Sequence, residues 1–375
     1  MHKLVIVTDS FLPRWDGIAR FIIEVLPFVQ QHFDVHIIAP DFEGAQPQLN
    51  VPVHRIALSS LSVGDYVFAK WQPKRLKHLL ADAHIVWTQT MGPLGMSAQY
   101  IARRQKKVVI HYMHSVDWDL VSKSIVDLHI LRSLLYMCAK MFIIPSLRRV
   151  HHLMLPSLEV EELLKKKNVH IPLSVIPLGV DTQKFCPSTQ KDELKKALGY
   201  QPQDVVIGFV GRLAREKDLK TLLRAFVRVR KTHPQAKLLV VGDGLASIKS
   251  MLAQQRGVLL VGSQQDVVSY YQAMDIYVLS SLLETTSLTT LEAMACGVAP
   301  LITPVGFAKD HITEKQNGML FPIGNSLVLA LKLTQLIQQP ALRHSIGQQA
   351  RNSIIQQRTW QHTAQQCVDI LQKYI

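Results

Sequence analysis

Cysteine is scarce in this chain: Cys138, Cys186, Cys296 and Cys367 are widely scattered, with no C-x-x-C pair among them. That spacing argues against a disulfide framework and against a zinc site, and makes a reducing cytoplasm the expected home. Long apolar runs are missing as well. No stretch approaches the roughly 18 consecutive apolar residues of a membrane span, and the richest, from Phe21 to Val29, is interrupted by Glu24 and Pro27. The apolar run Leu4 to Val7 behind Met1-His2-Lys3 is too short for a signal-peptide core and reads as a first buried strand. Any membrane contact is therefore expected to be peripheral, on the inner face. Acidic residues are in deficit, 28 against 42 basic ones, for a net charge of +14. Such an excess raises nucleic acid, an anionic membrane surface and an anionic substrate as partners. It divides evenly, 21 basic against 15 acidic before residue 187 and 21 against 13 from there on. With no aromatic-interleaved basic stripe and no nucleic-acid motif, no nucleic acid partner is expected.

What the chain does have is core material. Apolar residues make up 48% of its 375 positions and charged ones 19%, enough for two hydrophobic cores, and two domains of about 180 residues each is the natural division at this length. Short apolar, β-branched runs alternate with amphipathic helical ones twice over. Leu4 to Val7, Val35 to Ile38, Ile85 to Thr88 and Val108 to His111 read as buried parallel strands of a first unit. Val205 to Val210, Lys237 to Val241, Gly257 to Val261 and Ile276 to Leu279 do so in a second. The expected fold class is α/β, with two Rossmann-like doubly wound domains. The segment Ile176 to Pro187 and the polar, Lys-rich stretch to Asp204 read as the hinge, giving an N-terminal domain of residues 1–185 and a C-terminal one of 186–358, followed by a final helix over 359–375. Doubly wound sheets bind ligands beyond the carboxyl ends of their strands, so two such units facing a central cleft would let two substrates meet there.

The most informative segment is Glu284-Thr285-Thr286-Ser287-Leu288-Thr289-Thr290-Leu291-Glu292 through Gly297, with two carboxylates eight positions apart. On one helix they would lie about 80° apart, so both meet one ligand more readily if Glu284 sits on a loop and Glu292 in the helix it leads into. Helix N-terminal amides suit phosphate and carboxylates suit sugar hydroxyls, a combination that fits a phosphorylated sugar. A plainer reading stays open: Thr289-x-x-Glu292 is also a capping box. Gly211-Arg212-Leu213-Ala214-Arg215-Glu216-Lys217-Asp218 precedes a helix with apolar Leu219, Leu222, Leu223 and Phe226 at i, i+3, i+4, i+7. Arg212 and Lys217 oppose that helix's dipole and want an anion, either a ligand phosphate or their own neighbours Glu216 and Asp218. The loop from Asp9 to Ile18 holds Gly17 but is not G-x-G-x-x-G, so a dinucleotide reading is weak and a turn glycine is nearly as good an account. His111-Tyr112-Met113-His114-Ser115 ends another strand. The D-x-D of Asp117-Trp118-Asp119 reads as a helix N-cap rather than a metal site.

Together with Asp275-Ile276-Tyr277-Val278-Leu279-Ser280 and Gly179-Val180-Asp181, these motifs resemble the retaining glycosyltransferases of family 4, glycosyl transferases group 1, and especially their glycolipid-forming hexosyltransferases. The resemblance runs over nearly the whole chain. It implies a GT-B fold, with an acceptor-binding N-terminal domain, a nucleotide-sugar-binding C-terminal domain and a last helix that crosses back to the N-domain. By the same resemblance Arg212 and Lys217 clamp a donor diphosphate, Glu292 takes the ribose hydroxyls and Glu284 the donor sugar. Amides and hydroxyls around Ser287, Leu288 and Thr289 support sugar or phosphate oxygens, Gly17 approaches the donor, Ser263 and Gln264 hold the base through the backbone, and His114 contacts the sugar near the reacting carbon. His114, Glu284, Arg212 and Lys217 are thus the implied catalytic set. The chain departs from the family pattern at Ser287 and at Gly306-Phe307, where glycines are common, and at Ser280, where proline is.

The implied reaction is transfer of a hexose from a UDP- or GDP-linked donor to an acceptor hydroxyl with retention, without a metal or other cofactor. A double displacement needs a carboxylate near the anomeric carbon. The family has no agreed one, and a front-face route is the usual interpretation, with the leaving phosphate helping to deprotonate the acceptor. The acceptor is a membrane lipid or a glycan. From Leu120 to Leu155 an apolar segment expected to be helical carries Lys123, Arg132, Lys140, Arg148 and Arg149 among Leu, Ile, Met and Phe. That pattern suits either core packing or an anionic membrane surface. Two rival functions share the donor site: a nucleotide-sugar epimerase of the same fold, and a non-catalytic nucleotide-sugar or lipid-binding protein. Donor sugar and base, linkage position and oligomeric state stay open.

Overall fold

The structure is a computed structural model that describes residues 1–46, 48–63, 66–116, 118, 129–306 and 308–375. The chain forms two compact units, one of Met1–Pro177 with Trp360–Ile375 and one of Leu178–Thr359.

The first unit runs β1 (His2–Val7), α1 (Gly17–Val29), β2 (Phe33–Pro40), β3 (Val53–Ile56), β4 (Leu58–Val63), β5 (Tyr66–Ala69), α2 (Pro73–Leu79), β6 (Ile85–Thr88), α3 (Pro93–Arg104), β7 (Val108–Tyr112), α4 (His129–Leu147), β8 (His152–Leu155), α5 (Leu158–Lys166) and β9 (Leu173–Val175). Seven strands form a parallel sheet in the order β3-β2-β1-β6-β7-β8-β9, while β4 and β5 make a separate antiparallel pair. Helices cover both faces of such a sheet, so its central strands need apolar side chains on both. Accordingly Leu4 to Val7 and all of β6 are buried. Phe21 of α1 packs against Trp87 and Tyr112, with ring centroids 5.9 and 4.3 Å away. The segment expected to be helical up to Leu155 instead ends its helix at Leu147 and turns into the fully buried strand β8. A short continuous apolar run such as Leu153-Met154-Leu155 carries no period by which helix and strand can be told apart. The N-terminal part of that segment, and the N-cap expected at Asp117 or Asp119, lie outside the described residues.

The second unit contains α6 (Lys191–Ala197), β10 (Val205–Val210), a 3-10 turn (Arg215–Lys217), α7 (Leu219–Arg230), β11 (Ala236–Val241), α8 (Ala246–Ala253), β12 (Val258–Gly262), α9 (Val268–Ala273), β13 (Ile276–Leu279), α10 (Leu288–Ala295), β14 (Ala299–Ile302), α11 (Ala308–His311), β15 (Met319–Leu320), α12 (Ser326–Gln338) and α13 (Pro340–Gln357). Its parallel sheet has the order β12-β11-β10-β13-β14-β15. The start of β13 is pinned by Asp275, whose carboxylate accepts from the Val206 amide at 2.8 Å and meets Lys195 at 2.7 Å and Lys191 at 2.9 Å. Burial alone would raise its pKa, and the two ammonium groups hold it below the usual value instead. The last helix, α14 (Trp360–Gln372), belongs to the first unit and packs along α1, with Trp360 beside Phe21.

Candidate functional site

Strand order explains why the charged loops of the second unit meet. β10 is flanked by β11 on one side and β13 on the other, so the sheet reverses direction of growth at β10, and the loops leaving the carboxyl ends of β10 and β13 are neighbours. The first of these loops, from Gly211 to Asp218, is held by the turn after β11. Gly242 stands at φ +137°, and a Cβ there would lie 2.0 Å from the Gly211 carbonyl oxygen, so only glycine admits the approach. The Leu213 amide donates to the Asp243 carbonyl at 2.8 Å, and the Leu245 amide to the Leu213 carbonyl at 2.8 Å.

Within this frame Lys217 meets Glu284, in a short ammonium–carboxylate contact between largely buried side chains. Ser281 donates to the same carboxylate at 2.7 Å. Ser280, in the position where proline is common, donates its hydroxyl to the carbonyls of Lys217 and Asp218 at 2.8 and 3.0 Å and so ties the two loops together. A third tie runs from the Leu282 amide to the Glu216 carbonyl at 2.8 Å. Arg212 is 74% exposed and lies 3.1 Å from Glu216. Of the two internal anions expected from sequence, Glu216 takes Arg212, whereas Asp218 caps α7 by accepting from the Thr221 amide at 3.3 Å, its other oxygen accepting from the Thr221 hydroxyl at 2.6 Å. The partner of Lys217 is Glu284, 67 residues away.

The capping box left open as the plainer reading of Thr289 and Glu292 does not describe the start of α10. Ser287 is the N-cap and accepts from the Thr290 amide at 3.2 Å, which places Leu288 first in the helix and Thr289 second. Thr289 shares hydrogen bonds with the Tyr277 hydroxyl at 2.7 Å and with Ser287 at 3.0 Å. Glu292 is buried and accepts from the Tyr271 hydroxyl at 2.7 Å. Burial raises both phenols above their usual pKa, so Tyr271 stays a donor to Glu292. Gly306, at φ +53°, backs the loop. A Cβ there would come within 2.5 Å of the carbonyl oxygens of both Glu284 and Thr285. Ser263 and Gln264 follow β12, two strands from β10 at the same sheet edge, and both are exposed.

A second cluster lies at the carboxyl ends of β1, β6 and β7 in the first unit. Asp9 is buried and caps α3, accepting from the amides of Leu94 at 2.8 Å and Gly95 at 3.0 Å and from the Thr90 hydroxyl at 2.6 Å. Burial raises its pKa against those three donors. Gly17 opens α1, where the neighbouring Asp16 already accepts from the Ile18 and Ala19 amides at 3.0 and 2.9 Å. The His114 ring packs against Phe21 and Tyr112, with centroids 4.8 and 4.5 Å away. Its Nε2 lies 3.0 Å from Gln89 Oε1, a contact that puts the ring proton on Nε2. Burial, with a smaller push from His111, drives its pKa down to about 3, so the imidazole is neutral at physiological pH. The amide nitrogen of Gln89 is itself buried without a hydrogen-bond partner among the described residues. Sequence reasoning passed over Gln89, Ser281 and Tyr271. The signal for the first was visible: the polar triplet Thr88-Gln89-Thr90 ends an otherwise apolar strand.

The two units, each a parallel α/β sheet with its polar residues gathered on the loops at the carboxyl ends of the strands, define a GT-B glycosyltransferase fold. Residues 190–353 match the family model for glycosyl transferases group 1, and residues 15–184 match that for glycosyltransferase family 4. The chain belongs to this family. It is similar to the alpha-monoglucosyldiacylglycerol synthase of Streptococcus pneumoniae, 30% identical over 276 residues that cover 70% of this chain and 62% of that protein. It is also similar to the protein of the same name from Acholeplasma laidlawii, 22% identical over 94% of this chain and 92% of that one. Its backbone matches the crystal structure of Anabaena Alr3699/HepE in complex with UDP and glucose with a TM-score of 0.81 over all of both chains, at 17% identity. That likeness establishes the fold alone.

Proposed function

We propose that the protein is a retaining hexosyltransferase, taking a hexose from a UDP- or GDP-linked donor and passing it to the hydroxyl of a membrane lipid. One observation carries the reading: Lys217 and Glu284 are joined at the ends of the adjacent strands β10 and β13, with Arg212 on the same loop as Lys217 and the amino end of α10 following Glu284. A cation pair and free helix amides suit a diphosphate, and a carboxylate beside them suits sugar hydroxyls. In this reading the second unit holds the donor. Arg212 and Lys217 take the phosphates, Glu284 the sugar and Glu292 the ribose, with Ser287, Leu288 and Thr289 supporting oxygens of either. Ser263 and Gln264 present backbone to the base.

In the transfer step, the bond from the anomeric carbon to the leaving phosphate breaks as the acceptor oxygen bonds to the same face. The acceptor proton passes to the departing phosphate oxygen. Arg212 and Lys217 stabilise the charge that gathers on the diphosphate, an effect worth several kcal/mol in such sites. The first unit contributes His114, a neutral imidazole oriented by Gln89, as a contact for the donor sugar near its reacting carbon, and Gly17 for close backbone approach. No step calls on a metal. The lipid acceptor is supported by the names of the relatives above and by the basic, apolar α4.

The test is a turnover assay that offers UDP- and GDP-hexoses with mixed lipid vesicles, following nucleotide release and the partition of sugar label. Label entering the lipid phase is expected. Nucleotide release without lipid labelling moves the acceptor to a soluble glycan or the chemistry to epimerisation, and turnover with no donor defeats the enzyme reading.

A further inference from the structure

Two fully buried tyrosines meet the first turns of α10, Tyr271 from α9 and Tyr277 from β13. A phenol taken out of water needs a partner for its hydroxyl, and these two find different ones. Tyr277 meets Thr289 at 2.7 Å, and Thr289 meets Ser287 at 3.0 Å, so this hydroxyl serves the cap of the helix. Tyr271 donates to Glu292 Oε2 at 2.7 Å, between side chains that are both buried. Burial first, and the Glu292 charge after it, raise the Tyr271 pKa well above its ordinary 10, so the phenol keeps its proton and remains the donor. The ring is held as well. It packs edge-on against Phe185, centroids 5.9 Å apart, and against Tyr277 at 6.2 Å. The next residue, Gln272, donates to the Cys186 carbonyl at 2.8 Å, and Arg351 of α13 donates to the Phe185 carbonyl at 3.2 Å. A hydroxyl on a ring so braced is a fixed point.

A glutamate by itself is not. Its terminal torsion is broad and roughly two-fold, so an unanchored carboxylate must be ordered each time a ligand binds, at a cost in affinity. A carboxylate also only accepts, through about four lone-pair sites on its two oxygens. Glu292 can therefore hold the Tyr271 hydroxyl and still accept from two neighbouring hydroxyls of a ligand. Its place in the second turn of a helix that follows the Glu284 loop keeps it close to the charged loops at the ends of β10 and β13. A bond that served packing alone would change stability when lost and leave ligand selectivity untouched.

We infer that Tyr271 is a positioning residue for the nucleoside part of the donor: by anchoring Glu292 Oε2 it presents the carboxylate in one orientation to the ribose hydroxyls, and so sets the preference of the site for ribonucleotides over deoxyribonucleotides. This rests on the donor reading proposed above, in which Glu292 takes the ribose, and adds what makes that contact selective.

The experiment is calorimetric titration of the full chain with UDP, GDP and their 2′- and 3′-deoxy forms. Wild type should prefer the tighter-binding ribonucleotide over at least one of its deoxy forms by roughly 10- to 100-fold, the range of a hydrogen bond to a charged group. Tyr271→Phe should bind that ribonucleotide about 2- to 10-fold more weakly and the deoxy form nearly as wild type does, so the preference shrinks by the same factor. Tyr277→Phe removes an equally buried hydroxyl, and should lower the Tm while leaving the preference in place. Glu292→Ala should abolish the preference, and adding Tyr271→Phe to it should change the preference no further, because two residues that act through one contact are not additive. Phe185→Leu keeps the hydroxyl but loosens the ring, should shift the preference the same way by less, and stands in if Tyr271→Phe melts below the assay temperature. An unchanged or enlarged preference in Tyr271→Phe or its stand-in overturns the inference, and if Glu292→Ala still abolishes the preference the donor reading survives. An equal loss of preference in Tyr277→Phe traces the effect to packing around α10 and overturns it too. Wild-type protein that binds neither nucleotide, or binds ribo and deoxy forms alike, overturns both readings.

Discussion

Lys217 and Glu284 satisfy one another across 67 residues, so in the proposed donor site each would serve both the ligand and the structure, and a single substitution mixes the two effects. A double substitution separates them. Lys217→Met leaves a largely buried carboxylate short of its cation and should cost about 1–3 kcal/mol of stability, visible as a lowered Tm. Lys217→Met/Glu284→Gln should recover most of that stability yet remain about 10- to 100-fold down in kcat/KM, because charge-assisted bonds worth about 1.5–3 kcal/mol to the donor are gone. If the double variant recovers activity along with stability, the pair is structural only. Gln89 calls for a different measurement. Gln89→Leu removes the acceptor that fixes the His114 tautomer, and it is expected to lower kcat more than the donor KM, with Gln89→Glu retaining more activity than Gln89→Leu. Sequence pattern picked out His114 among 16 histidines by its place at a strand end. It was silent about Gln89, because a hydrogen bond between the ends of two strands 25 residues apart leaves no local periodicity to read.

At the scale of elements, the strands that read most clearly were those buried on both faces, since an unbroken β-branched run such as Val205 to Val210 admits few other structures. The pairing of β10 with β13 was not legible, because strand order in a parallel sheet is set by crossovers and not by any one segment. Yet that pairing is what joins the arginine–lysine loop to the glutamate loop. The edge strands β3, β9 and β15, of four, three and two residues, are too short for a pattern. At α10 the capping-box alternative fails, because Thr289-x-x-Glu292 mimics a cap that Ser287 provides. Gly306 shows how one loop backs another. Gly306→Ala adds a methyl within 2.5 Å of the carbonyls of Glu284 and Thr285 at a positive φ, which should push the Glu284 loop outward. The expected outcome is at least a tenfold loss of kcat/KM with a stability cost of about 1–3 kcal/mol. Unaltered kinetics in this variant would mean that the position of Glu284 does not limit turnover.

For the molecule as a whole, buried neutral histidines set an acid limit on stability. His111 is fully buried, with Nδ1 3.0 Å from the Thr88 carbonyl and a buried Nε2 that has no partner among the described residues, so a second ring proton would have none of these to bind. Burial lowers its pKa from the ordinary 6.5 to about 4, outweighing the Thr88 hydrogen bond. Because the folded value lies below the unfolded one, the unfolded chain takes up the proton first as pH falls. The contribution is therefore fully present above pH 6.5 and is lost between there and the folded pKa near 4. Over that window one such group tilts the unfolding free energy by about 1.4 kcal/mol per pH unit, and His114, also driven down by burial, adds to the slope. Urea denaturation at a series of pH values from neutrality to mild acid should show stability falling in this way. His111→Gln keeps a donor for the Thr88 carbonyl but cannot titrate, so it should be less stable than wild type near neutrality and lose less on acidification, and the two curves should converge as pH drops. Parallel curves would mean that His111 takes up its proton at the same pH in the folded and unfolded chains, so that burial does not hold it neutral. Turnover should behave differently from stability: with His114 neutral down to about pH 3, its titration should put no inflection in the kcat profile at any pH where the protein stays folded.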